Sequence, residues 1–154
     1  MTTIQRESSW DCIEGIKALI EDHWNEVALH KDVVKLEPNW GQYSALEAQN
    51  RLVIITAREG ELLVGYSVFF LHHHAHYKSC LVASNDVVYL VPGKRGVVGT
   101  KLIRNSETIL KSLNVIKMTW HVKPSHDWSG VLKRMGYEQE EIIMGKLLGD
   151  HHGI

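Results

Sequence analysis

One segment constrains the fold of this chain more than any other, because it joins the end of a strand to the start of a helix. Residues 89–103 read YLVPGKRGVVGTKLI: an apolar run stops at Pro92, and a basic loop with glycines follows. Proline has no N–H to donate to a neighbouring strand and ends it. The residues that then recur at three- and four-residue spacing are Leu102, Ile103, Ser106, Ile109, Leu110 and Leu113. This spacing predicts a helix after the loop.

The loop between this strand and helix has the chemistry of an anion-binding turn. The first N–H groups of a helix have no partner within the helix, and the helix dipole adds partial positive charge there. Gly93, Gly96 and Gly99 lack a Cβ and leave the backbone accessible, while Lys94 and Arg95 add positive charge. The loop therefore predicts a pyrophosphate site. The alternative is a plain strand-to-helix turn with incidental basic residues.

Composition bounds the kind of protein. A chain of 154 residues with 44% hydrophobic content can build one core, so we expect a single domain over 1–154. A formal net charge of −1 gives no indication of a nucleic-acid surface or of a polybasic membrane face. Cys12 and Cys80 follow no metal or secretory spacing, which is typical of free thiols in a reducing compartment. No signal-peptide pattern is present, and we expect a cytoplasmic protein.

Hydrophobic periodicity predicts a mixed α/β architecture. We expect strands at 4–7, 51–57, 62–71, 79–91, 115–122 and 142–148. A long amphipathic helix should follow a cap at Ser8 or Ser9, and a shorter helix should span about 42–50. Strands in the middle of the chain, followed by one strand–helix–strand unit, predict a mixed sheet with helices on both faces.

The order of these elements, together with several short motifs, resembles the GNAT superfamily of acetyl-CoA-dependent N-acyltransferases. The motifs are Leu90-x-Pro92-x-x-Arg95-Gly96, the Gly99-x-x-Leu102 helix start and the Gly136-Tyr137 helix end. From about His23 to Leu148, the chain is similar to compact GNAT proteins of phage and bacterial genomes. The words that carry this likeness are HWNEVALHKD at 23–32, GYSVFF at 65–70, HY at 76–77, ND at 85–86 and LKRMGY at 132–137.

The resemblance implies the GNAT fold, a mixed, mostly antiparallel sheet that is splayed at its centre and has helices on both faces. It also implies transfer of an acetyl group from acetyl-CoA to a primary amine, by direct attack in a ternary complex. The residues implied for coenzyme binding are Tyr89, Leu90, Val91, Lys94, Arg95, Gly96, Val97, Val98, Gly99, Thr100 and Ser125. The N–H of Leu90 matches the position that polarises the thioester carbonyl. Against the family pattern, either the loop is one residue shorter, or Lys94 takes the basic position and Val97 replaces the middle glycine.

An acceptor amine must lose a proton before it attacks, so a base or a water relay is expected near the splay. The candidate catalytic side chains are Asp86, His76, His121 and Glu26, and the candidate substrate contacts are Glu26, His30, His76 and Asp86. Asp86 interrupts an apolar strand, where an unpaired carboxylate would be costly to bury. A carboxylate that only accepts backbone hydrogen bonds at a sheet edge is the alternative for Asp86, and a simple polar contact is the alternative for the histidines. For Glu26 and His30 the alternative is a solvated pair on one helix face.

The chain differs from the family at the position of the side chain that usually protonates the thiolate leaving group. The family often has a Tyr in the last helix, and its place here is taken by Leu132; Ser125 stands where an Asn is usual. Two alternatives follow from this difference. Either water, Ser125 or His126 protonates the thiolate, or the thiolate leaves without a proton. A catalytically weak acyl-CoA-binding or host-interaction module is therefore the alternative function.

A histidine-dependent metalloprotein is the third function that the sequence leaves open. His72, His74 and His76 would share one face of a strand, in a geometry that suits zinc. We expect no metal, because no fourth ligand is suggested. The sequence does not decide whether the acceptor is a small-molecule amine or a protein amine. It also does not decide whether the protein forms a homodimer. If the chain is phage-encoded, the expected location is the host cytoplasm.

Overall fold

The computed structural model describes residues 1–149, which form one five-stranded sheet and four α-helices within that range. The elements are β1 (Thr2–Glu7), α1 (Ser9–Val27), α2 (Trp40–Ala48), β2 (Leu52–Glu59), β3 (Leu62–His74), β4 (Tyr77–Leu90), α3 (Val97–Ser112), β5 (Lys117–Thr119) and α4 (Ser129–Arg134), with 3-10 turns at Pro92–Lys94 and Pro124–His126. The polar composition of residues 150–154 predicts a polar tail, and these residues lie outside the described range.

The sheet has the order β1-β2-β3-β4-β5, in which the first four strands are antiparallel neighbours and β5 runs parallel to β4. The β4–β5 pairing covers only Val82–Ser84 against Lys117–Thr119. Beyond Ser84, β4 continues to Leu90 while β5 has ended. The mixed, mostly antiparallel sheet and the splay are confirmed, although the splay lies next to the edge of the described sheet.

Helices cover both faces of the sheet, as predicted. Alternate residues of a strand point to opposite faces, so each strand supplies both layers of the core. On the first face, α1 and α2 pack against residues that include Leu52, Ile54, Tyr66 and Val68. On the second face, α3 packs against residues that include Val53, Ile55, Phe69 and Leu71. The site described below lies beside the unpaired edge of β4, between α1 on the first face and α3 on the second.

The two helices of the first face begin at side-chain caps. The Ser8 side chain accepts a hydrogen bond from the Asp11 N–H, which confirms Ser8 as the cap of α1. The Asn39 side chain accepts from the Gln42 N–H at 3.0 Å, and α2 accordingly begins at Trp40, two residues before the predicted start. No helix within residues 1–149 has both the length and the apolar character needed to cross a bilayer.

Two strand predictions need correction. The strand predicted at 142–148 is wrong, since residues 138–148 form neither strand nor helix. Ile142, Ile143 and Met144 are between 74% and 88% exposed, so their apolar side chains find no core in the described chain. The strand predicted at 115–122 is reduced to Lys117–Thr119. An apolar run becomes a strand only where a neighbouring edge accepts its backbone groups, and periodicity does not report such a neighbour.

Gly65 sets how closely β3 approaches β4, which leads to a prediction about stability. An ideal Cβ at Gly65 would lie 2.4 Å from Leu90 Cδ1 and 2.8 Å from the Tyr89 carbonyl oxygen. We expect Gly65→Ala to lower the free energy of unfolding by about 1–3 kcal/mol, as overpacking does. Gly93→Ala is the matched control, because no atom lies within 4 Å of its ideal Cβ, and it should change stability by less than about 0.5 kcal/mol. Urea unfolding measures both, and equal stability of the two variants would contradict this description of the β3–β4 contact.

Candidate functional site

A cleft of about 500 Å³ opens where β4 leaves β5. Its walls come from the last turn of α1, the second half of β4, the start of α3, residues 121–128 and α4. The cleft exists because β4 and β5 are paired only as far as Ser84, while β4 continues without this neighbour to Leu90. Its volume is in the range of sites that bind small molecules and cofactors, about 300–1,000 Å³.

The exposed edge of β4 supplies one set of backbone groups to the cleft. The Val91 N–H donates to the Val64 carbonyl at 2.9 Å, so it faces β3. The hydrogen-bonding direction alternates along an antiparallel strand, and the N–H groups of Leu90 and Val88 therefore face the open side. An extended ligand can pair with such an edge as an added strand would.

The start of α3 supplies a second set. Gly96 precedes the helix with φ of +94°, a conformation that favours glycine, and the Thr100 N–H already donates to the Gly96 carbonyl at 2.9 Å. Among residues 1–149, nothing accepts from the N–H groups of Val97, Val98 and Gly99. An ideal Cβ at Gly99 would meet only Leu90 Cδ2, at 3.8 Å, so the packing of the protein does not itself require a glycine there. Free N–H groups at an open helix start fit a phosphate.

The two basic side chains of the loop pair with carboxylates. The Arg95 guanidinium donates two 2.6 Å hydrogen bonds to Glu26 and one of 2.9 Å to the Leu90 carbonyl. Lys94 Nζ lies 2.5 Å from Glu59 Oε1. Arg95 thereby ties the end of β4 to the last turn of α1. Its hydrogen bonds lower the pKa of Glu26, which makes this carboxylate a poor proton acceptor.

Asp86 lies at a β-bulge. In the β3–β4 register, Phe69 faces Asn85 and Val68 faces Val87, so Asp86 is the extra residue. The Asn85 amide secures the bulge by donating to the carbonyls of Val68 at 3.2 Å and of Val87 at 3.0 Å. The bulge lets Asp86 point to the face covered by α1 and α2.

On that face, Asp86 accepts a 2.5 Å hydrogen bond from the Tyr43 hydroxyl of α2. Burial raises the pKa of Asp86, against smaller opposing effects of this hydrogen bond and of the nearby His121. A carboxylate with a raised pKa is a better proton acceptor than an ordinary aspartate.

His23 is a site residue that we did not predict. The ring is buried, its Nδ1 lies 3.0 Å from the Tyr66 hydroxyl, and it stacks on Tyr89 with 5.0 Å between ring centroids. Burial lowers the pKa of His23 to about 4, so the imidazole is neutral at pH 7. The signal was present in the sequence, because His23 falls among apolar residues on the buried face of α1. Its partner Tyr66 is 43 residues away and is not evident from the sequence.

The other predicted catalytic and substrate-contact residues lie in three places. His121 lines the cleft, as do Glu26 and Asp86. His30 lines a second, adjoining cavity, with φ of +55°. His76 lies in the exposed turn between β3 and β4, outside the lining of both cavities. Nine residues of β4, Tyr77 to Asn85, separate His76 from Asp86, which is about 30 Å at the rise of an extended strand. The structure therefore does not bring His76 to the splay as expected.

The predicted coenzyme residues are also divided. Leu90, Arg95, Gly96, Gly99 and Thr100 line the cleft together with Tyr89. Val91 and Val98 pack beside Leu90 in the small core cluster below it, and Val97 is 76% exposed.

The groups considered for protonating the thiolate lie as follows. Ser125 is exposed in a 3-10 turn and does not line the cleft, whereas its neighbour His126 does. His126 Nε2 lies 3.3 Å from Glu26 Oε1. Leu132, in the place of the usual Tyr, is buried.

The histidines at the end of β3 do not assemble a metal centre in the part of the chain that is described. No group of three His, Cys, Asp or Glu side chains within it could hold a metal ion. The His74 ring instead accepts a hydrogen bond from the His76 N–H at 3.0 Å.

Comparison with known proteins identifies the fold. No family model matches the chain, and no curated protein matches it. Among solved structures, an aminoglycoside acetyltransferase from an uncultured soil metagenomic sample, in complex with trehalose, superposes with a TM-score of 0.73 at 14% identity, over 96% of this chain and 97% of that one. A predicted acetyltransferase with acetyl-CoA from Clostridium acetobutylicum gives 0.71 at 16% identity, over 99% and 100%.

Glucosamine-6-phosphate N-acetyltransferase from Arabidopsis thaliana gives a TM-score of 0.72 at 14% identity, over 97% of this chain and 99% of that one. These structures match over nearly their whole length, so the likeness concerns the complete architecture and not one motif. The chain has the GNAT fold, as its resemblance implied.

Gly99 tests whether the start of α3 binds the coenzyme. Gly99→Val should lower the affinity for coenzyme A at least tenfold, which is about 1.4 kcal/mol, because the side chain would stand over the free N–H groups. Gly93→Val is the matched control, since Gly93 belongs to the same loop but does not line the cleft. Titration calorimetry measures both variants. Equal affinities would mean that the loop is only a structural turn.

Proposed function

We propose that this chain is an acetyl-CoA-dependent N-acetyltransferase that transfers the acetyl group directly to a primary amine in a ternary complex. One observation carries the proposal: the open edge of β4 and the start of α3, at Gly96, Gly99 and Thr100, line one cleft that also contains the partly buried Asp86. The three structural neighbours named above support it, since each is an acetyltransferase by name and one was crystallised with acetyl-CoA.

The residues present fit acetyl-CoA at both ends of the cleft. The N–H groups of Val97, Val98 and Gly99 would hold the pyrophosphate, as helix starts hold anions. The outward N–H groups of Val88 and Leu90 would pair with the pantetheine amides and the thioester carbonyl. Loss of one donor to a developing oxyanion costs about 3 kcal/mol, so the orientation of Leu90 is important for the rate. Arg95 donates to the Leu90 carbonyl and so restrains the backbone next to this N–H.

Asp86 would accept the proton of the acceptor amine. The amine nitrogen attacks the thioester carbonyl carbon, a C–N bond forms, and the C–S bond breaks with its electron pair leaving on sulfur. The nitrogen proton goes to Asp86, whose burial favours the protonated form. The thiolate takes a proton from water or from His126, because Leu132 has no proton to give.

Coenzyme binding without turnover is the second candidate, and the buried Leu132 favours it. Both candidates predict that acetyl-CoA binds. Only an acetyltransferase releases free coenzyme A faster when an amine is added, and this release can be followed by thiol detection. If coenzyme binds and no amine in a broad panel accelerates release, the binding module is the correct function.

Asp86→Asn tests the role of the carboxylate. We expect turnover at neutral pH to fall by a factor of about 10² to 10⁴, with partial recovery at high pH as more amine is deprotonated in solution. In the unmodified protein the base must be ionised. Activity should therefore fall with decreasing pH through a pKa that lies above the ordinary aspartate value of about 3.9.

Asp22→Asn is the control for this variant, because Asp22 is exposed on α1 and lines neither cavity. Coenzyme affinity of both variants should remain that of the parent protein. Full activity of Asp86→Asn at neutral pH would exclude Asp86 as the base.

A further inference from the structure

A second cavity, of about 540 Å³, lies between α1, residues 28–38, α2 and the sheet face that these elements cover. Its lining is dominated by apolar side chains. From the helices come Ile16, Ile20 and Trp40, and from the sheet come Ile54, Val68 and Val87. A volume of this size holds one small organic molecule, and an apolar lining favours an apolar one.

This apolar cavity adjoins the cleft proposed for the coenzyme. His23, Val27, Val87 and Lys123 line both spaces. Tyr43 lines the apolar cavity, and its hydroxyl donates to Asp86, which lines the cleft. A molecule that fills the cavity and extends toward the cleft therefore reaches the proposed base.

The charges around the apolar cavity do not suit a polycation. Of the described residues that line it, one is a carboxylate, Glu37, which lies exposed in the loop before α2. Lys35 and Lys123 supply positive charge to the same lining. A polyamine or an aminoglycoside carries several ammonium groups, each of which needs an acceptor or water when it is bound. This arrangement suits a ligand with one ammonium group, which would face Asp86.

The mouth of the cavity is also apolar. Leu29 and Val34 are 51% and 53% exposed, and both line the cavity together with Leu36. Apolar side chains that gather around an opening, and not singly over a surface, are typical of a ligand-binding site. A bound apolar molecule would remove part of their surface from water.

We propose that the acceptor is a small amine with one ammonium group and an aromatic or branched aliphatic body. The body would fill the apolar cavity, and the nitrogen would point to Asp86 at the boundary with the cleft. The proposal rests on the proposed function, because it names the substrate class of that reaction. The apolar lining of the cavity therefore assigns this chain an acceptor class other than the aminoglycosides named for one neighbour in fold.

The test measures acetylation of 2-phenylethylamine, spermidine, an aminoglycoside and a lysine-containing peptide under the same conditions. Burial of a phenyl-sized group stabilises a complex by about 1.5–3 kcal/mol, so kcat/KM for 2-phenylethylamine should exceed that for spermidine about 10- to 100-fold. A higher kcat/KM for spermidine, the aminoglycoside or the peptide would overturn the proposal.

Two variants locate the binding of the amine. Leu36→Gln changes a loop residue at the mouth, and Ile20→Gln changes the wall on α1. Each should raise KM for 2-phenylethylamine about tenfold, consistent with loss of apolar burial, while coenzyme affinity stays unchanged. Ile116→Gln is the control, because Ile116 is 67% exposed and lines neither cavity. If Ile20→Gln does not fold, Leu36→Gln decides. An unchanged KM would then contradict the assignment of the cavity.

Direct binding separates this proposal from the proposed function. Calorimetry with 2-phenylethylamine and with spermidine, on protein saturated with coenzyme A, needs no turnover. Tighter binding of 2-phenylethylamine supports the cavity assignment even if no amine is acetylated, and in that case the acetyltransferase function alone fails. Tighter binding of spermidine overturns the cavity assignment, whatever the turnover.

Discussion

The divergence of β4 from β5 after Ser84 is the constraint on which the site depends. Three residues of pairing hold the two strands together, and the next six residues of β4 have one free edge. A paired edge would leave no outward N–H at Val88 or Leu90 and no cleft between the layers of the core. The same divergence places the start of α3 beside the free edge, so the outer edge of β4 and the residues Gly96, Gly99 and Thr100 line one space.

The surroundings of three ionisable groups near this space shift their pKa values, each for its own reason. The two hydrogen bonds from Arg95 keep Glu26 ionised. Through Arg95, which also binds the Leu90 carbonyl, Glu26 connects α1 to the end of β4. Asp86 is partly buried, and burial raises its pKa, which suits a proton acceptor. His23 is buried and neutral, so it adds a polar contact at the boundary of the two cavities without adding charge.

Local sequence signals were sufficient for some of this structure. The glycine loop and the three- and four-residue spacing predicted α3, and the apolar runs at 51–57 and 62–71 predicted β2 and β3. Contacts between distant residues were not predictable. The Arg95–Glu26 pair joins residues 69 positions apart, and the bulge at Asp86 depends on the register of β3.

The strand expected at 142–148 failed for a related reason. Its apolar residues were present, but pairing needs a neighbouring edge, and the sequence of one segment does not show whether that edge is available. For His23, the sequence indicated the surroundings of the side chain but not its place in the site. A histidine on an apolar helix face predicts burial, yet only the fold shows that it borders two cavities.

We propose that acetyl-CoA binds to the free edge of β4 and to the start of α3. Amide hydrogen exchange, with and without acetyl-CoA, tests it most directly, because exchange slows where an N–H gains a hydrogen-bond acceptor. Protection should increase at Val88, Leu90 and the first three residues of α3, and it should stay unchanged at the exposed β3–β4 turn. Protection elsewhere in the chain, with no change at these amides, would contradict the account.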